Sequence, residues 1–295
     1  MNKSHAFSRF AVPAFILIWA SGYIVAKLAA HDAEALSFLF YRYVGVVLLM
    51  GALALAARAP WPNARDAWHI ALAGVLIQAV YLGGVWVAIR MGMSAGLAAL
   101  IVNLQPVLTG CFAAWAGEGI TRRQVLGIAI GFIGVVVVLA AKIANVSFAN
   151  YAWTPLMLCV IALFGNTIGV IYQKRHVPQF DLRTGQVIQF SASALVTLPF
   201  IFAFESFSVT WSRDVLIAMF WSVFILSGMG ISLMFYLLRS GSAMRVTSSM
   251  YVVPGLTALM AWLMFNETLT WNVIAGMAIA LLGVYLVVNQ HTAEK

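Results

Sequence analysis

Apolar residues fill this sequence in long runs, and short polar connections separate the runs. Ten of the runs reach about 20 residues, the length that a membrane-spanning helix needs, and together they occupy most of the 295 residues. The pattern predicts an all-α integral membrane protein with ten transmembrane helices and no separate soluble domain. The predicted spans are 10–30, 35–57, 67–90, 94–116, 122–142, 152–173, 183–204, 213–238, 243–265 and 271–289.

The composition agrees with a protein whose solvent is mostly lipid. Hydrophobic residues make up 63% of the chain and charged residues 9%, and a soluble domain has too little interior for that much apolar surface. The net charge of +8 comes from basic residues that stand singly between apolar runs. No stripe forms that could follow a phosphate backbone, so we expect no nucleic-acid partner. Cys111 and Cys159 lie alone inside predicted spans and are interpreted as packing residues. We expect no metal site and no cofactor.

The distribution of Lys and Arg between alternate connections predicts the orientation of the helices. With the N-terminus inside, the inner side holds twelve basic residues and the outer side holds three, namely Arg90, Lys142 and Arg213. Both termini are therefore predicted to be cytoplasmic, in the inner membrane of a bacterial cell. The first span resembles a signal peptide, but it is longer than the apolar part of such a peptide, and we expect it to remain as a helix.

The two halves of the sequence repeat each other. Residues 118–135 match residues 267–284, with a shared pattern of Glu, Thr and two glycines at a separation of 149. Five spans lie between paired elements, so the second copy crosses the membrane in the opposite sense. Inverted repeats of this kind are an architecture of secondary carriers. The sequence therefore predicts two five-helix repeats within one membrane domain, residues 1–145 and 146–295.

Prolines and glycines occupy matching places in the repeat. Pro106 in span four and Pro254 in span nine are 148 residues apart, and each is predicted to kink its helix because proline removes a helical hydrogen bond. The kinks either line a cavity or serve packing alone. Small residues on one face of spans five and ten predict close helix packing, within the fold or between the protomers of a homodimer. These residues are Gly127, Gly131, Gly134, Gly276 and Gly283.

The sequence resembles the EamA-type branch of the drug/metabolite transporter superfamily. The residues that carry the resemblance are Trp19-Ala20-Ser21-Gly22-Tyr23 with Lys27, Arg42, and the two repeated blocks of Pro, Glu and Gly. It covers essentially the whole chain and implies ten helices, with a cavity formed by spans one to four and six to nine. Spans five and ten would lie at the periphery. The resemblance also implies transport of a small organic solute, with export favoured over import, and does not name the cargo.

Ionisable side chains inside spans are functional candidates because they are costly in lipid unless they are paired or hydrated. Lys27 lies near the outer end of span one, where it either contacts cargo or snorkels to the interface. Arg42 lies about 10 Å from the outer boundary of span two by the usual helical rise. We expect Arg42 to bind an anionic group of the cargo or to join Asp32 or Glu34 in an outer gate.

Aromatic and polar side chains complete the candidate site, because apolar walls with a few polar groups suit a small amphipathic metabolite. Trp19, Tyr23 and Lys27 follow one another at intervals of four residues and share one stripe of span one. If His31 and Pro178 are paired, Gln189 stands where Arg42 would fall in the second half, so we expect an asymmetric site. The predicted substrate-binding residues are Trp19, Tyr23, Lys27, Arg42, Gln78, Tyr81, Asn103, Asn166, Gln189 and Tyr251.

The acidic residues all lie in loops or at the ends of predicted spans, so the sequence indicates no buried carboxylate relay for protons. Glu118 and Glu267 each precede a Thr that opens the next helix, and we expect them to bind backbone N–H groups at a helix start. The expected function is that of a secondary transporter, not an enzyme, that moves an amino acid-like or other amphipathic or anionic solute by alternating access. The alternatives are an integral membrane enzyme, for which no catalytic constellation is visible, and a non-transporting membrane sensor or partner protein.

Overall fold

The computed structural model of the protein describes residues 3–115, 121–143, 153–177, 179–239 and 250–288. Within these ranges it describes no side chains for residues 3–10, 113–114, 142–143, 235, 238–239, 251 and 287–288. The described residues form helices that short connections join. The helices are α1 (Lys3–Ala29), α2 (Ala35–Ala56), α3 in three parts (Ala64–Gly74, Val75–Leu82 and Gly83–Arg90), α4 in two parts (Ala95–Val102 and Gln105–Trp115), α5 (Arg122–Ile143), α6 (Trp153–His176), α7 (Leu182–Phe204), α8 in three parts (Arg213–Phe220, Trp221–Gly230 and Ile231–Arg239), α9 (Val253–Phe265) and α10 (Trp271–Val288).

The described helices are those of a membrane protein. Eight of them, α1 to α8, are long and apolar enough to cross a membrane, while α9 and α10 are apolar but shorter over the described residues. Large apolar side chains such as Leu48, Leu195 and Phe202 are exposed on the outside of the bundle. Lipid is the solvent that suits such a surface, since helices satisfy their own backbone groups inside it. The prediction of an all-α membrane protein is confirmed.

Polar side chains in the connections fix where several helices begin. Asn63 accepts a hydrogen bond from the N–H of Asp66 at 2.8 Å before α3, and Asp181 accepts one from the N–H of Arg183 at 2.9 Å before α7. Each side chain satisfies a backbone donor that has no partner within the helix. Local sequence therefore sets these boundaries, which lie within a few residues of the predicted span ends.

Neighbouring helices come mainly from opposite halves of the chain. α2 packs against α7, α4 against α9, and α5 against α10. In the same way α1 packs on α8 and α9, whereas α3 and α4 pack on α6. The buried apolar core runs through α1 to α4 and α6 to α9, with contributions from the α5–α10 pair. The core thus lies between the halves rather than inside each of them.

Glycines bring α5 and α10 into close contact. A Cβ atom added to Gly134 would collide with the backbone of Ala280, and one added to Gly283 would collide with the backbone of Gly131. The predicted glycine faces therefore pack against each other within the chain. The homodimer through spans five and ten stays a prediction, and it would use the remaining faces of these helices, where Phe132 is exposed.

Both prolines of the repeat lie beside an irregularity in their helix. α4 is interrupted at Asn103 and Leu104, where the N–H of Leu104 bonds to the carbonyl of Ile101 at 3.1 Å, and it resumes directly before Pro106. In α9 a single 3₁₀ turn, Met250–Val252, precedes the α-helical part, and Pro254 occupies its first turn. A proline without an N–H group is tolerated at such a helix start.

Candidate functional site

The middle parts of α3 and α8 are wound as π-helices. These parts are Val75–Leu82 in α3 and Trp221–Gly230 in α8, and they end 148 residues apart. The same separation relates Pro106 to Pro254. A π-helix forms hydrogen bonds between residues five apart, and such departures from the α-helix occur frequently at functional sites. The described residues thus contain a π-helical segment in each half, and the two segments end at matching places.

Helix α2 connects these two π-helical segments. The Tyr43 hydroxyl donates a hydrogen bond to the carbonyl of Gln78 in α3 at 2.7 Å. The guanidinium Nη2 of the adjacent residue, Arg42, donates to the hydroxyl of Ser227 in α8 at 3.3 Å. Gln78 and Ser227 are 149 residues apart. Two consecutive residues of α2 therefore bind the π-helical segments of both halves.

Arg42 is buried at this junction, with 6% of its surface exposed. Its Nε has no hydrogen-bond partner among the described residues. Its electrostatic neighbours are Tyr43 and Tyr81, and none of the ion pairs between described residues includes it. Arg42 is therefore a buried cation whose surroundings, so far as the described chain extends, are hydroxyl groups.

Two tyrosines from different helices meet near Arg42. The hydroxyl of Tyr23 in α1 and that of Tyr81 in α3 are 3.3 Å apart, and Cys159 of α6 is an electrostatic neighbour of both. One turn before Tyr23, the ring of Trp19 packs against Phe15 with the ring centroids 5.4 Å apart. The structure thus brings Tyr23, Tyr81 and Arg42 close together.

The other predicted polar residues have partners of their own. Asn166 donates to the side-chain oxygen of Gln105 at 2.9 Å, and Gln189 donates to that of Gln173 at 3.1 Å. Asn103 bonds to the carbonyl of Ala99 in its own helix at 2.7 Å. The first contact joins α6 to α4, the second joins α7 to α6, the third lies within α4, and none of them includes Arg42. The side chain of Tyr251 lies outside the described residues.

Two further buried polar residues, Gln186 and Ser222, are candidates that the predicted set of substrate-binding residues does not include. Gln186 has 2% of its surface exposed, and neither atom of its amide has a partner in the described part of the chain. The hydroxyl of Ser222 is likewise buried without a described partner, and the carbonyl of Ser222 accepts a hydrogen bond from Ser227 at 3.0 Å. A single serine gives little signal in an apolar sequence. The neighbour of Arg42 on α8 could not be identified in advance for that reason.

Lys27 lies apart from Arg42, at the end of the bundle that holds residues 30–34, 91–94, 205–212 and 266–270. We call this end the Glu34 end. Lys27 forms an ion pair with Glu267 and lies 5.3 Å from the ring centroid of Phe265. Glu267 also accepts a hydrogen bond from the N–H of Ala95, the first residue of α4, at 3.1 Å. Glu267 therefore binds a helix-start N–H group as predicted, although the helix is α4 and not α10. Glu118 lies outside the described residues.

A carboxylate from the second half binds the start of α2 at the Glu34 end. Glu205 accepts hydrogen bonds from the N–H groups of Leu36 and Ser37 at 2.9 and 2.8 Å, and from the Ser37 hydroxyl at 2.7 Å. The first N–H groups of a helix have no partner within it and favour an anion. This contact ties the end of α7 to the beginning of α2.

A carboxylate from the first half makes the reciprocal contact. One oxygen of Glu34 accepts from the N–H groups of Ser206 and Ser208 at 2.8 and 2.9 Å. Phe207 between them has a φ of 57°, in the left-handed region, so the flanking N–H groups converge on one anion. Desolvation raises the pKa of Glu34, but the hydrogen bonds from Ser208 and Ser206 outweigh it and lower the pKa below its ordinary value of 4.5. Glu34 is thus bound to backbone groups and not to Arg42.

The opposite end of the bundle, which we call the Arg183 end, holds residues 57–63 and 179–183. A cleft of about 880 Å³ opens there between the second half of α2, the start of α7 and the second half of α8. At the Glu34 end, by contrast, the gap beside Glu267 measures about 10 Å³. Asp181 at the cleft bonds to Arg183, two residues along its own chain, at 2.8 Å. Among the described residues, carboxylate contacts therefore join the helices at the Glu34 end, and a cleft separates α2, α7 and α8 at the Arg183 end.

Comparisons with known proteins identify the family of the chain. A model of the EamA-like transporter family matches the chain twice, over residues 10–140 and 153–289. The transporter YvbV of Bacillus subtilis is 26% identical over 95% of this chain and 91% of its own. The inner membrane transporter YedA of Escherichia coli K12 is 25% identical over 87% of this chain and 82% of its own.

Two further matches extend the comparison to function and to structure. A probable amino-acid metabolite efflux pump of Salmonella typhimurium is 25% identical, with coverage of 92% of this chain and 91% of its own. A solved crystal structure matches 95% of both chains with a TM-score of 0.63 and 18% identity. At that identity the structural likeness concerns the fold alone.

Proposed function

Since this chain belongs to the EamA-like transporter family, we propose that it is a secondary carrier that moves a small organic solute by alternating access. It is a multi-pass protein of the inner membrane, and its relatives are transporters. The observation that carries the proposal is a buried polar group around Arg42 between two unlike ends of the bundle. One end is closed by carboxylate contacts and the other opens into a cleft of about 880 Å³.

Two inverted five-helix repeats, residues 1–145 and 146–295, are part of this proposal. The double match of the family model supports them, as do the π-helical segments at matching positions. The packing of the helices gives further support. Exchange of the halves turns the α1–α8 contact into the α6–α3 contact, and both occur in the structure. In this arrangement all ten helices cross the membrane.

The conformation described is, on this proposal, open to the cytoplasm. The basic residues of the connections assign the Arg183 end to the cytoplasm and the Glu34 end to the outer side. Solute would enter or leave through the cleft while the contacts of Glu34, Glu205 and the Lys27–Glu267 pair close the outer side. Separation of those contacts and closure of the cleft would give the opposite state, as expected of inverted repeats that rock about a central site.

We place the cargo site at the junction of α1, α2, α3 and α8. Tyr23, Gln78 and Tyr81 would form its walls with Trp19, and Asn103, Asn166, Gln189 and Tyr251 are proposed as further lining residues. An aromatic wall with a few polar groups suits an amino acid-like solute. Efflux of such a solute is the direction we propose, with support from the name of the Salmonella typhimurium relative.

Transport by the purified protein in liposomes tests this function. A panel of labelled amino acids, their acylated derivatives and other small metabolites would be loaded inside, and their loss would be compared with that from empty liposomes. We expect at least one amphipathic solute to leave faster, and an unlabelled excess of it on the other side to stimulate exchange. Chemical conversion of a bound compound without any accelerated flux would indicate an enzyme instead.

A further inference from the structure

Arg42 carries a positive charge for which the described part of the chain supplies no counter-charge. Its guanidinium cannot lose its proton in a protein, only 6% of its surface is exposed, and its one hydrogen bond is to Ser227 at 3.3 Å. Lys27, the other cation predicted inside a span, is paired with Glu267. A buried charge without a partner is unfavourable. An anion bound at Arg42 would offset this cost.

We infer that Arg42 is the binding site for a carboxylate of the cargo and that the cargo is a monoanion. The inference rests on the carrier function proposed for the chain. A guanidinium presents its N–H donors in a planar fork that matches the two oxygens of a carboxylate. Its Nε has no partner among the described residues, so this N–H donor is left unused by the described part of the chain. Since Arg42 is the one buried cation described at this junction, a single negative charge is neutralised and a second would not be.

The groups around Arg42 suit the rest of a carboxylate. Tyr81 is close enough for an electrostatic interaction with Arg42, and the Ser222 hydroxyl is buried with no described partner. Hydroxyls can rotate to donate to an anion and to accept from the guanidinium. Ser222 and Ser227 are five residues apart in the π-helical segment of α8, and the Ser227 hydroxyl donates a hydrogen bond to the Ser222 carbonyl at 3.0 Å. An anion at Arg42 would thus have the Tyr81 hydroxyl of α3 as a neighbouring donor, while the Ser227 hydroxyl of α8 donates to the Ser222 carbonyl and accepts from the guanidinium.

The cleft at the Arg183 end approaches this position along α2 and α8, although Arg42 itself is not part of its lining. Its lining includes Gly228, the chain neighbour of Ser227, and Met50, two helical turns after Arg42 in α2. A solute in the cleft is therefore next to the segment that holds the hydroxyl partner of Arg42. The carboxylates of the Glu34 end, Glu34, Glu205 and Glu267, form their contacts with other groups and none with the guanidinium of Arg42.

A comparison of carboxylates with their uncharged amides tests the inference on the unaltered protein. Detergent-purified protein would be melted in the presence of benzoate, phenylacetate and N-acetyl-leucine, and of the three corresponding amides. We expect at least one acid to raise the melting temperature in a saturable way and its amide to have an effect at least tenfold weaker. Equal effects of acids and amides, or no effect of any acid, would overturn the inference.

Variants then assign the effect to Arg42. Arg42→Gln should weaken binding of the stabilising acid on the order of 100-fold, the usual consequence of removing one member of a buried charge pair. Arg42→Lys keeps the charge but lacks the planar pair of N–H donors. Its affinity for the acid should lie between those of the unaltered protein and Arg42→Gln. Arg65→Gln, which removes an exposed arginine of α3, is the matched control and should bind normally. Normal binding by Arg42→Gln would place the anion elsewhere.

Two further outcomes separate this inference from neighbouring ones. Anionic lipid headgroups also carry oxygens that a guanidinium can bind. If phosphatidylglycerol nanodiscs, but none of the acids, stabilise the protein in an Arg42-dependent way, the site takes lipid and the inference is wrong. Arg42-dependent binding of an acid that never crosses the liposome membrane would leave the anion site standing and would refute the carrier. Transport of the cargo at an unchanged rate by Arg42→Gln would refute the anion site and would leave the carrier function standing.

Discussion

A cation inside an apolar helix is stabilised either by a fixed carboxylate of the protein or by an anion that binds and leaves. Lys27 belongs to the first kind, since Glu267 and the ring of Phe265 surround its ammonium group. Arg42 belongs to the second kind, since no described carboxylate forms an ion pair with it. The first arrangement holds helices together, and the second leaves a binding capacity. Two similar residues in the sequence therefore receive different roles from their partners.

The Lys27–Glu267 pair should act as one unit in closing the Glu34 end. We expect Lys27→Met and Glu267→Gln each to expose the start of α4, because Glu267 holds both Lys27 and the N–H of Ala95. The readout is the rate at which an impermeant maleimide labels Ala95→Cys in protein lacking Cys111 and Cys159. Partly exposed ion pairs contribute about 1 kcal/mol or less, so labelling should rise a few-fold. The double variant should label little faster than either single one; additive effects would show that the two residues are not coupled.

Close packing of α5 on α10 should make Gly283 intolerant of a methyl group. In Gly283→Ala the new Cβ would meet the backbone of Gly131 and the carbonyl of Gly127, and backbone cannot rotate away as a side chain can. Overpacking of this kind costs about 1–3 kcal/mol, which thermal unfolding in detergent would register as a lower melting temperature. Gly255→Ala is the matched control, since nothing lies within 4 Å of a Cβ there. An equal loss in both variants would mean that the contact is not what Gly283 provides.

The sequence reveals charged residues in spans but not the backbone groups that bind carboxylates. Arg42 and Lys27 stand out because a cation in an apolar run is rare. Glu34 and Glu205 lie in connections, where acidic residues are common, and their partners are N–H groups about 170 positions away. The left-handed conformation of Phe207 that converges two of those groups has no signal in residue type, since aromatic residues rarely adopt it.

At the level of helices, the sequence predicts where a helix begins and ends better than it predicts how the helix is wound. The predicted spans 35–57 and 183–204 agree with α2 (Ala35–Ala56) and α7 (Leu182–Phe204) within one residue at each end. The π-helical segments of α3 and α8 were not predictable, because two turns of a uniformly apolar helix do not distinguish 3.6 residues per turn from a wider winding. The interruption of α4 was predicted at Pro106 from its chemistry, and it lies at Asn103 and Leu104.

The contact between Glu34 and the 206–208 segment should open only in acid. Because the pKa of Glu34 is lowered in the closed state, this contact is fully present above the ordinary value of 4.5 and is lost as the pH falls through the lowered pKa. We expect the maleimide labelling rate of Ala33→Cys, divided by that of free glutathione at the same pH because the thiolate is the reacting form, to stay constant above pH 4.5 and to rise below it, with Cys111 and Cys159 again replaced. Glu34→Gln should label faster at neutral pH and lose this dependence. A rise already near pH 6 would contradict the assignment of the opening to Glu34.

For the molecule as a whole, orientation is the prediction with the most direct test. A green fluorescent protein fused after Lys295 should fluoresce, because it folds only in the cytoplasm, and alkaline phosphatase fused after Glu205 should be active, because it requires the periplasm. The opposite pair of results would reverse the chain and would place the described cleft on the outer side. Hydropathy and the Lys and Arg counts predict the class of the molecule and this orientation. They do not predict which helices pack against each other, because all the spans have similar hydropathy.

The pairing of each helix with one from the other half has a consequence for biosynthesis. When the ribosome has released the first five helices, the surfaces of α2, α3 and α5 that belong against α7, α6 and α10 have no partner yet. The nascent half must wait in the bilayer, or beside an insertion factor, until synthesis of the second half supplies those surfaces. Genes that encode 1–145 and 146–295 separately should therefore yield unstable products alone and a functional assembly when expressed together.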